Sequence, residues 1–508
     1  MQKNNLDNVL LNTTNEFLVE YNTLDENSLY KLTNFSGSTA QALATRDKIY
    51  LFVDGRYHIQ ADLEVDHKFV EVIKLNSWAE FMPELLKILP EGSSLALFSK
   101  KNSIEKVEKL SQLYKLILID DDPYDSENKI NSSNNDIELD LNLTGMSTQQ
   151  KCKLIAEKVD LKEDEVILVN NLDDVSYIFN MRNFDTPYSA KIKAKALIFK
   201  NSVQYFTPDK FDELHEFLHH CEFKVLMDYS TTSEYYSNIC KNPYKFGNPI
   251  PNLRAHKTDE EINHLKIAFE KTDEALNSVR EFIYNNDNIS EYDIEQKLRE
   301  EFKKQGALGL SFKPIIAKDK NSALAHYSKS SKDEIIKDGS LVLIDCGAYF
   351  EGGLATDITR VFVKGTPTQL HKKIYTTVLK AFLHCFNSKF KTGYEIDNQA
   401  REFFNSQDTE GFVFNHGLGH GIGINVHEYP PSLSNGELAK VNIEDSECFT
   451  IEPGLYKEGY FGVRLENSCY MKDDRIHSFV KMNYENKLID YDMLSEQERI
   501  WLNEFEVK

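Results

Sequence analysis

The sequence predicts a mixed α/β and α+β fold, with two small α/β domains followed by a larger, strand-rich C-terminal domain. Length is the first reason, because 508 residues exceed what one hydrophobic core supports. Two breaks are the second. Residues 121–136, DDPYDSENKINSSNND, are polar and rich in turn formers and predict a linker. Residues 241–254, KNPYKFGNPIPNLR, hold three prolines and a glycine and are expected to stop any regular element. A change of texture is the third: helices and strands alternate in the first two blocks, whereas strands dominate beyond residue 300. The expected domains are 1–125, 137–250 and 255–508, all of ordinary size.

The elements follow in order. KIYLFVD (48–54) and LALFS (95–99) have the apolar runs of buried strands, and WAEFMPELLKIL (78–89) has helical spacing. In the second block Ser147 and Gln150 stand at capping-box distance and predict a helix start. EVILVNN (165–171) predicts a strand, VSYIFNMR (175–182) a helix and AKALIFK (194–200) a further strand. Thr258 and Glu261 form another capping box, opening a long amphipathic helix toward Tyr284.

Composition excludes several roles. A net charge of −22 opposes a nucleic-acid or anionic-membrane partner, since phosphate binding needs a basic footprint. Seven scattered cysteines without paired spacing fit reduced thiols rather than a disulfide framework. The opening MQKNNLDNVLLNTTNEF has no continuous apolar region, and no stretch approaches a membrane span, so a cytoplasmic location is expected.

Five potential metal ligands lie in the last third: Asp345, Asp357, His420, Glu452 and Glu466. LVLID (341–345) ends in Asp345 and ATDITRVFV (355–363) carries Asp357, with an EGG turn between them. This spacing suits a hairpin that sets two carboxylates across neighbouring strands. CFTIEPG (448–454) and GVRLENS (462–468) repeat the device with Glu452 and Glu466. Between the hairpins HGLGHGIGINVHEYPP supplies His416, His420 and His427, and its glycines let the chain approach closely. Ala325-His326-Tyr327 adds another histidine upstream. Four ionised carboxylates and one imidazole carry about −4, which two divalent cations would cancel, so the set predicts a two-metal hydrolytic centre. Taken singly, each residue has a plainer explanation: a turn aspartate at Asp345, a solvated charge at Glu466, a hydrogen-bonded histidine at His326. Cys346 and Cys448, close to the ligands, are expected to be packing residues.

DCG with ATDITR, HGLGHGIG with the following HE, TIEPGLY and GVRLEN together resemble the signatures of the creatinase/aminopeptidase superfamily. FSGSTA and FVDGRYHIQA, LDDVSYIFNMRNFD, and the ending KLIDYDMLSEQERIWLNEF resemble the first domain, second domain and tail of the three-domain Xaa-Pro aminopeptidases. The resemblance spans nearly the whole chain. It implies two creatinase-like α/β domains before a catalytic domain of pita-bread fold. It also implies removal of one N-terminal residue from peptides with proline second, and a homodimer. By the same resemblance Asp345, Asp357, His420, Glu452 and Glu466 bind two divalent metal ions, commonly Mn2+, with Asp357 and Glu466 bridging. His326, His416 and His427 match the family's active-site histidines, and Arg464 matches the arginine behind its ligands. The Asp345–Asp357 interval is one residue longer than the family pattern, which predicts a wider turn. IAKDKNSALAHY, before His326, lacks the family's glycine-rich stretch.

The expected mechanism is attack by a metal-bridging hydroxide on the carbonyl before proline. His427 helps to stabilise the oxyanion, and Glu452 shuttles the proton to the leaving nitrogen. His326 assists, His416 positions substrate and Arg464 orients the ligand carboxylates. The Tyr429-Pro430-Pro431 segment is the suspected proline pocket, and Arg56 either reaches the cleft or forms a structural salt bridge. The rivals are an X-Pro dipeptidase (prolidase) with the same metal set and a non-catalytic binding scaffold on the same fold.

Overall fold

The computed structural model describes residues 6–124, 133–327 and 329–506, so residues 125–132 of the expected linker lie outside the described residues. The chain forms two compact units. One holds residues 1–138, 146–187 and 191–250; the other holds 139–145, 188–190 and 251–508.

The described residues of the N-terminal unit form two large sheets with separate cores and a two-stranded ribbon of Ile137–Glu138 with Met181–Arg182. The first runs Val70–Lys74, Ile49–Val53, Gln41–Ala44, Val9–Asn12, Ser94–Phe98, Lys115–Ile119 in space. Strand alternation feeds a core on each face. Leu11, Ala42, Leu51 and Val53 point one way, and Leu10, Leu43, Phe52 and Leu97 point the other. The predicted strands at 48–54 and 95–99 are central in it. The segment 78–89 is helical but broken, a 3₁₀ turn at Trp78–Glu80 leading into the helix Phe81–Ile88. The second sheet runs Val203–Phe206, Lys195–Ile198, Glu165–Val169, Lys224–Met227, Pro243–Lys245. Arg56 donates through Nε and Nη2 to Asp54 at 2.9 and 2.7 Å, so it forms the salt bridge that was one of its two expected roles.

Two expectations fail here for local reasons. The helix predicted over 175–182 is Leu172–Phe179. Asn171 accepts from the backbone N–H groups of Asp173 and Asp174 and starts it three residues early. Asn180, left-handed at φ 54°, stops it, and Met181–Arg182 is a strand. The proline-rich segment 241–254 also keeps regular structure. Pro243 opens the edge strand Pro243–Lys245, where the missing N–H faces no neighbour, and Pro251 sits in the first turn of the helix Ile250–Ala255.

The C-terminal unit begins with the helix Asp259–Asn285 and its Thr258–Glu261 capping box. Helices Glu291–Lys304, Gln369–Phe386 and Gly393–Asn405 follow. Two antiparallel sheets carry the site. One orders Ile315–Lys318, Leu341–Cys346 and Ile358–Val363; the other orders Glu428–Leu433, Gly419–Gly421, Cys448–Ile451, Asn467–Lys472 and Arg475–Ser478. Behind them Val378, Phe382, Phe449, Ile451, Leu455 and Val463 share one buried core with the helices. No helix among the described residues is long and apolar enough to cross a membrane.

Candidate metal centre

The two hairpins deliver their carboxylates as the spacing suggests, with differences at the strand ends. Asp345 lies inside Leu341–Cys346 and pairs with Thr359. Asp357 stands one residue before its strand rather than within it. The wide connection between them includes Ala348–Tyr349, paired with Gly309–Leu310. Gly347 is obligatory in this connection, because a Cβ there would lie 1.8 Å from the Thr356 carbonyl oxygen. The second hairpin is interrupted where its ligands sit. Cys448–Ile451 pairs with Asn467–Lys472, and Gly454–Lys457 pairs with Phe461–Arg464 in a separate two-stranded ribbon. At the break the Glu452 N–H donates to the Leu418 carbonyl (2.8 Å) and the Glu466 N–H to the Thr359 carbonyl (3.2 Å). Each acidic residue thus turns from its own ladder to a neighbouring element. The Ser468 hydroxyl donates to the Asp357 carbonyl at 2.8 Å and ties the two sheets together.

These elements converge. Ligand atoms of Asp357, His420 and Glu466 all lie within 4.8 Å of one another. His420 Nε2 is 3.5 Å from Asp357 Oδ2 and 3.7 Å from Glu452 Oε1. The ring is aimed by a contact of Nδ1 with the Gly421 carbonyl at 3.0 Å. At Gly419, beside it, a Cβ would meet the Thr450 carbonyl at 2.0 Å, so only glycine lets the strands come this close. Asp345 joins through Arg464, whose Nη2 donates to Asp345 Oδ2 at 2.5 Å while Nε stands 3.8 Å from Glu452.

The electrostatics are those of a site lacking positive charge. Burial, then the carboxylates of Glu466, Asp345 and Glu452, push Asp357 well above the usual carboxylate range. Burial and then Glu466 do the same to Glu452, against the pull of Arg464. Glu466 is pushed up to about 8, chiefly by burial and then by Asp345. Among the described residues Asp345 Oδ1, Asp357 Oδ1 and Glu466 Oε1 are buried with no hydrogen-bond partner. Three orphaned carboxylate oxygens in one buried acidic cluster, two of whose acids lie beside an imidazole, are what divalent cations would satisfy, so the residues fit a metal centre. Cys346 offers no thiolate, since burial holds its thiol well above the ordinary value.

The histidines divide. His427 meets His420 edge to face with ring centroids 4.5 Å apart. His326 lies on a turn whose preceding carbonyl, that of Ala325, accepts from Arg464 Nη1 at 3.3 Å. His416 has both ring nitrogens engaged: Nδ1 is 2.7 Å from the Gly417 carbonyl and Nε2 2.8 Å from the Tyr456 hydroxyl. A carbonyl only accepts, so Nδ1 carries the proton and Nε2 accepts from Tyr456. Burial, with the Arg464 guanidinium nearby, pushes His416 down to about 3 and keeps it neutral. A directed chain results, from Arg464 Nη1 to Tyr456 Oη (2.8 Å) and from Tyr456 O–H to His416. The ring has no N–H left for a substrate.

Several contributors escaped the sequence reading. Thr359 donates to Glu466 Oε2 at 2.7 Å. Buried Glu428 accepts from Ile424 N–H (2.6 Å), Lys257 (3.1 Å) and Arg254 (3.4 Å), fixing the loop that carries His427. Glu291 accepts from the Tyr327 hydroxyl (2.7 Å) and the Lys318 and Ser331 N–H groups, fixing the segment around His326. Tyr456 lies within the TIEPGLY motif and Glu428 is the acid of the HE that follows HGLGHGIG, which were the available signals; Glu291 gave none beyond being an acid near an apolar run. The suspected Tyr429-Pro430-Pro431 loop is instead part of the strand Glu428–Leu433, with both X-Pro bonds cis.

Replacing Arg464 by Met strands Asp345 and breaks the path to His416. The expected outcome is a loss of about 10–100-fold in metal affinity, with a similar fall in activity, measured by metal titration of the folded variant.

Residues 263–473 match the profile of metallopeptidase family M24. That segment is an M24 metallopeptidase domain. Residues 1–123 and 127–342 match creatinase/prolidase N-terminal domain profiles, the second overlapping the M24 match over residues 263–342, so creatinase-type domains come before a pita-bread catalytic domain. A protein of Coprinopsis cinerea called a probable Xaa-Pro aminopeptidase P is 27% identical, covering 99% of this chain and 92% of its own length. Another so called, from Laccaria bicolor, is 28% identical over 93% of this chain and 83% of its own. The crystal structure of X-prolyl aminopeptidase from Caenorhabditis elegans, described as a cytosolic enzyme with a di-nuclear active site, shares the fold. Its TM-score is 0.88 at 22% identity, over 98% of this chain and 90% of that one. The Xaa-Pro dipeptidase from Bacillus anthracis matches with TM-score 0.57 at 26% identity, over 66% of this chain and 98% of its own.

Proposed function

We propose that the protein is a dinuclear-metal aminopeptidase that removes the N-terminal residue from peptides whose second residue is proline. The observation that carries the reading is the cluster of orphaned, buried carboxylate oxygens around His420, in a chain that aligns end to end with relatives named for that activity. Asp345, Asp357, His420, Glu452 and Glu466 would hold the ions. Four carboxylates are hard donors that suit manganese, and they outnumber the single borderline imidazole. Bound there, two such cations supply Lewis acidity and water activated near neutral pH.

The chain's own groups do the rest. Glu452 takes the proton of the attacking water on its carboxylate and delivers it to the proline nitrogen as the C–N bond breaks. His427 donates toward the carbonyl oxygen as charge develops on it, and His326 assists within the same cavity. Arg464 holds Asp345, with His416 and Tyr456 locking the guanidinium from behind. Proline in the second position has no N–H to satisfy and a fixed φ, so the site gains from shape where a general aminopeptidase gains from a hydrogen bond. A cytoplasmic location, expected from cysteine usage and hydropathy, and a homodimer, implied by the family resemblance, belong to this proposal.

A dipeptidase is the second reading, favoured by the match to the Bacillus anthracis enzyme. That match covers 66% of the chain, whereas the relatives named aminopeptidase cover 99 and 93%. The test is turnover of an X-Pro dipeptide against an X-Pro-Y tripeptide by the manganese-loaded protein. A kcat/KM at least about tenfold higher for the tripeptide is expected. Strict dipeptide preference would transfer the assignment to the dipeptidase.

A further inference from the structure

We propose that the N-terminal unit holds a binding site for a small organic carboxylate that also bears an O–H or N–H donor, in the cavity lined by Lys106, Gln41 and Trp78. The cavity has a volume of about 330 Å³, and Thr13, Leu18 and Asn102 also bound it. That volume is within the range of small-ligand pockets.

Lys106 is the third residue of the helix Ile104–Ser111, whose N-cap Ser103 lines the same cavity. A side-chain ammonium and the positive end of a helix therefore border one space. Burial alone pushes the Lys106 ammonium down to about 7, with no carboxylate of the described residues acting against it. Lys101, on the same wall, differs: it is neutralised by Asp122 at 2.9 Å. Gln41 lines the cavity too, and its Oε1 is buried without a hydrogen-bond partner. A lysine with no carboxylate partner and an unfilled acceptor suit a ligand with an anionic end, which would hold the ammonium charged, and a donor.

Trp78 narrows the class further. Its indole N–H is committed to Asp54 at 2.7 Å, so only the ring's apolar surface is left for the cavity, with Leu18 adding to it. The complementary molecule is a hydroxy or amino acid with an aliphatic side chain. The site lies wholly within the N-terminal unit, and its test uses neither metal nor turnover.

The chain has two tryptophans, Trp78 and Trp501. In the full-length Trp501→Phe protein, indole fluorescence reports Trp78 alone; fluorine labelling of both indoles gives the same readout if that variant folds poorly. Titration with 2-hydroxy-4-methylpentanoate is expected to give a saturable change. 4-Methylpentanoate, lacking the hydroxyl, should bind about tenfold more weakly, and the methyl ester of the hydroxy acid should give no change. Lys106→Met should abolish saturation and Lys106→Arg should retain it, both with unchanged circular dichroism. No saturable response to the hydroxy acid or to L-leucine at millimolar concentration overturns the assignment. So does unaltered binding by Lys106→Met, or saturation by inorganic phosphate but not by the hydroxy acid.

Discussion

Glu452→Gln is expected to leave a folded, metal-binding protein whose turnover of an X-Pro-Y peptide falls by about 10²–10⁴. Glutamine keeps the shape and one oxygen of the side chain but cannot carry a proton between water and the proline nitrogen. The substitution should be well tolerated by the fold. Burial and then the neighbouring Glu466 drive the Glu452 carboxyl toward protonation, against the pull of Arg464, so a neutral side chain suits the position. Its backbone contact, N–H to the Leu418 carbonyl, is untouched. The measurement is kcat with metal content and melting temperature taken on the same sample. Near-normal kcat would remove the proton-shuttle role. Loss of activity in step with loss of metal would make Glu452 a ligand and nothing more.

Chelation is expected to abolish turnover, manganese to restore it, and the metal-free protein to show a stability that falls as pH rises. The sign follows from the raised carboxyls. Glu466 titrates near 8 in the folded chain against an ordinary value of 4.5, so between these limits the folded state binds more protons than the unfolded state. Its contribution is complete below about 4.5 and is lost as pH rises through about 8. Asp357 and Glu452, also raised, act in the same direction. Metal displaces those protons, so loading should remove the slope and release protons that calorimetry detects as a buffer-dependent heat. Thermal melts of both forms from pH 5 to 8 make the comparison. A metal-free protein equally stable across that range would mean the carboxylates do not share one dry pocket.

What the sequence revealed was set by how local the physics is. Capping boxes at Ser147, Thr258 and their third-residue partners depend on four consecutive residues and formed where the spacing placed them. The pairing of Leu341–Cys346 with Ile358–Val363 is also short-range, and it puts Asp345 two residues from the register position of Asp357. The prolines of 241–254 were misread because proline's effect depends on position: at an edge strand or a first helical turn it stops nothing. The role of His416 was out of reach for another reason. Its ring is consumed by Tyr456, 40 positions away, and that hydroxyl is fixed by Arg464, a connection that exists only once the ribbon Gly454–Lys457 and Phe461–Arg464 has formed. Glu291 and Glu428 owe their roles to partners far along the chain: the N–H groups of Lys318 and Ser331, 27 and 40 positions from Glu291, and the side chains of Lys257 and Arg254, 171 and 174 positions from Glu428.

The most direct measurement is an anomalous diffraction map from crystals grown with manganese. Two peaks, each within coordination distance of oxygens from Asp345, Asp357, Glu452 and Glu466 and with His420 bound to one of them, are the predicted result. An empty pocket at saturating manganese, with those side chains turned apart, would contradict the account at its root.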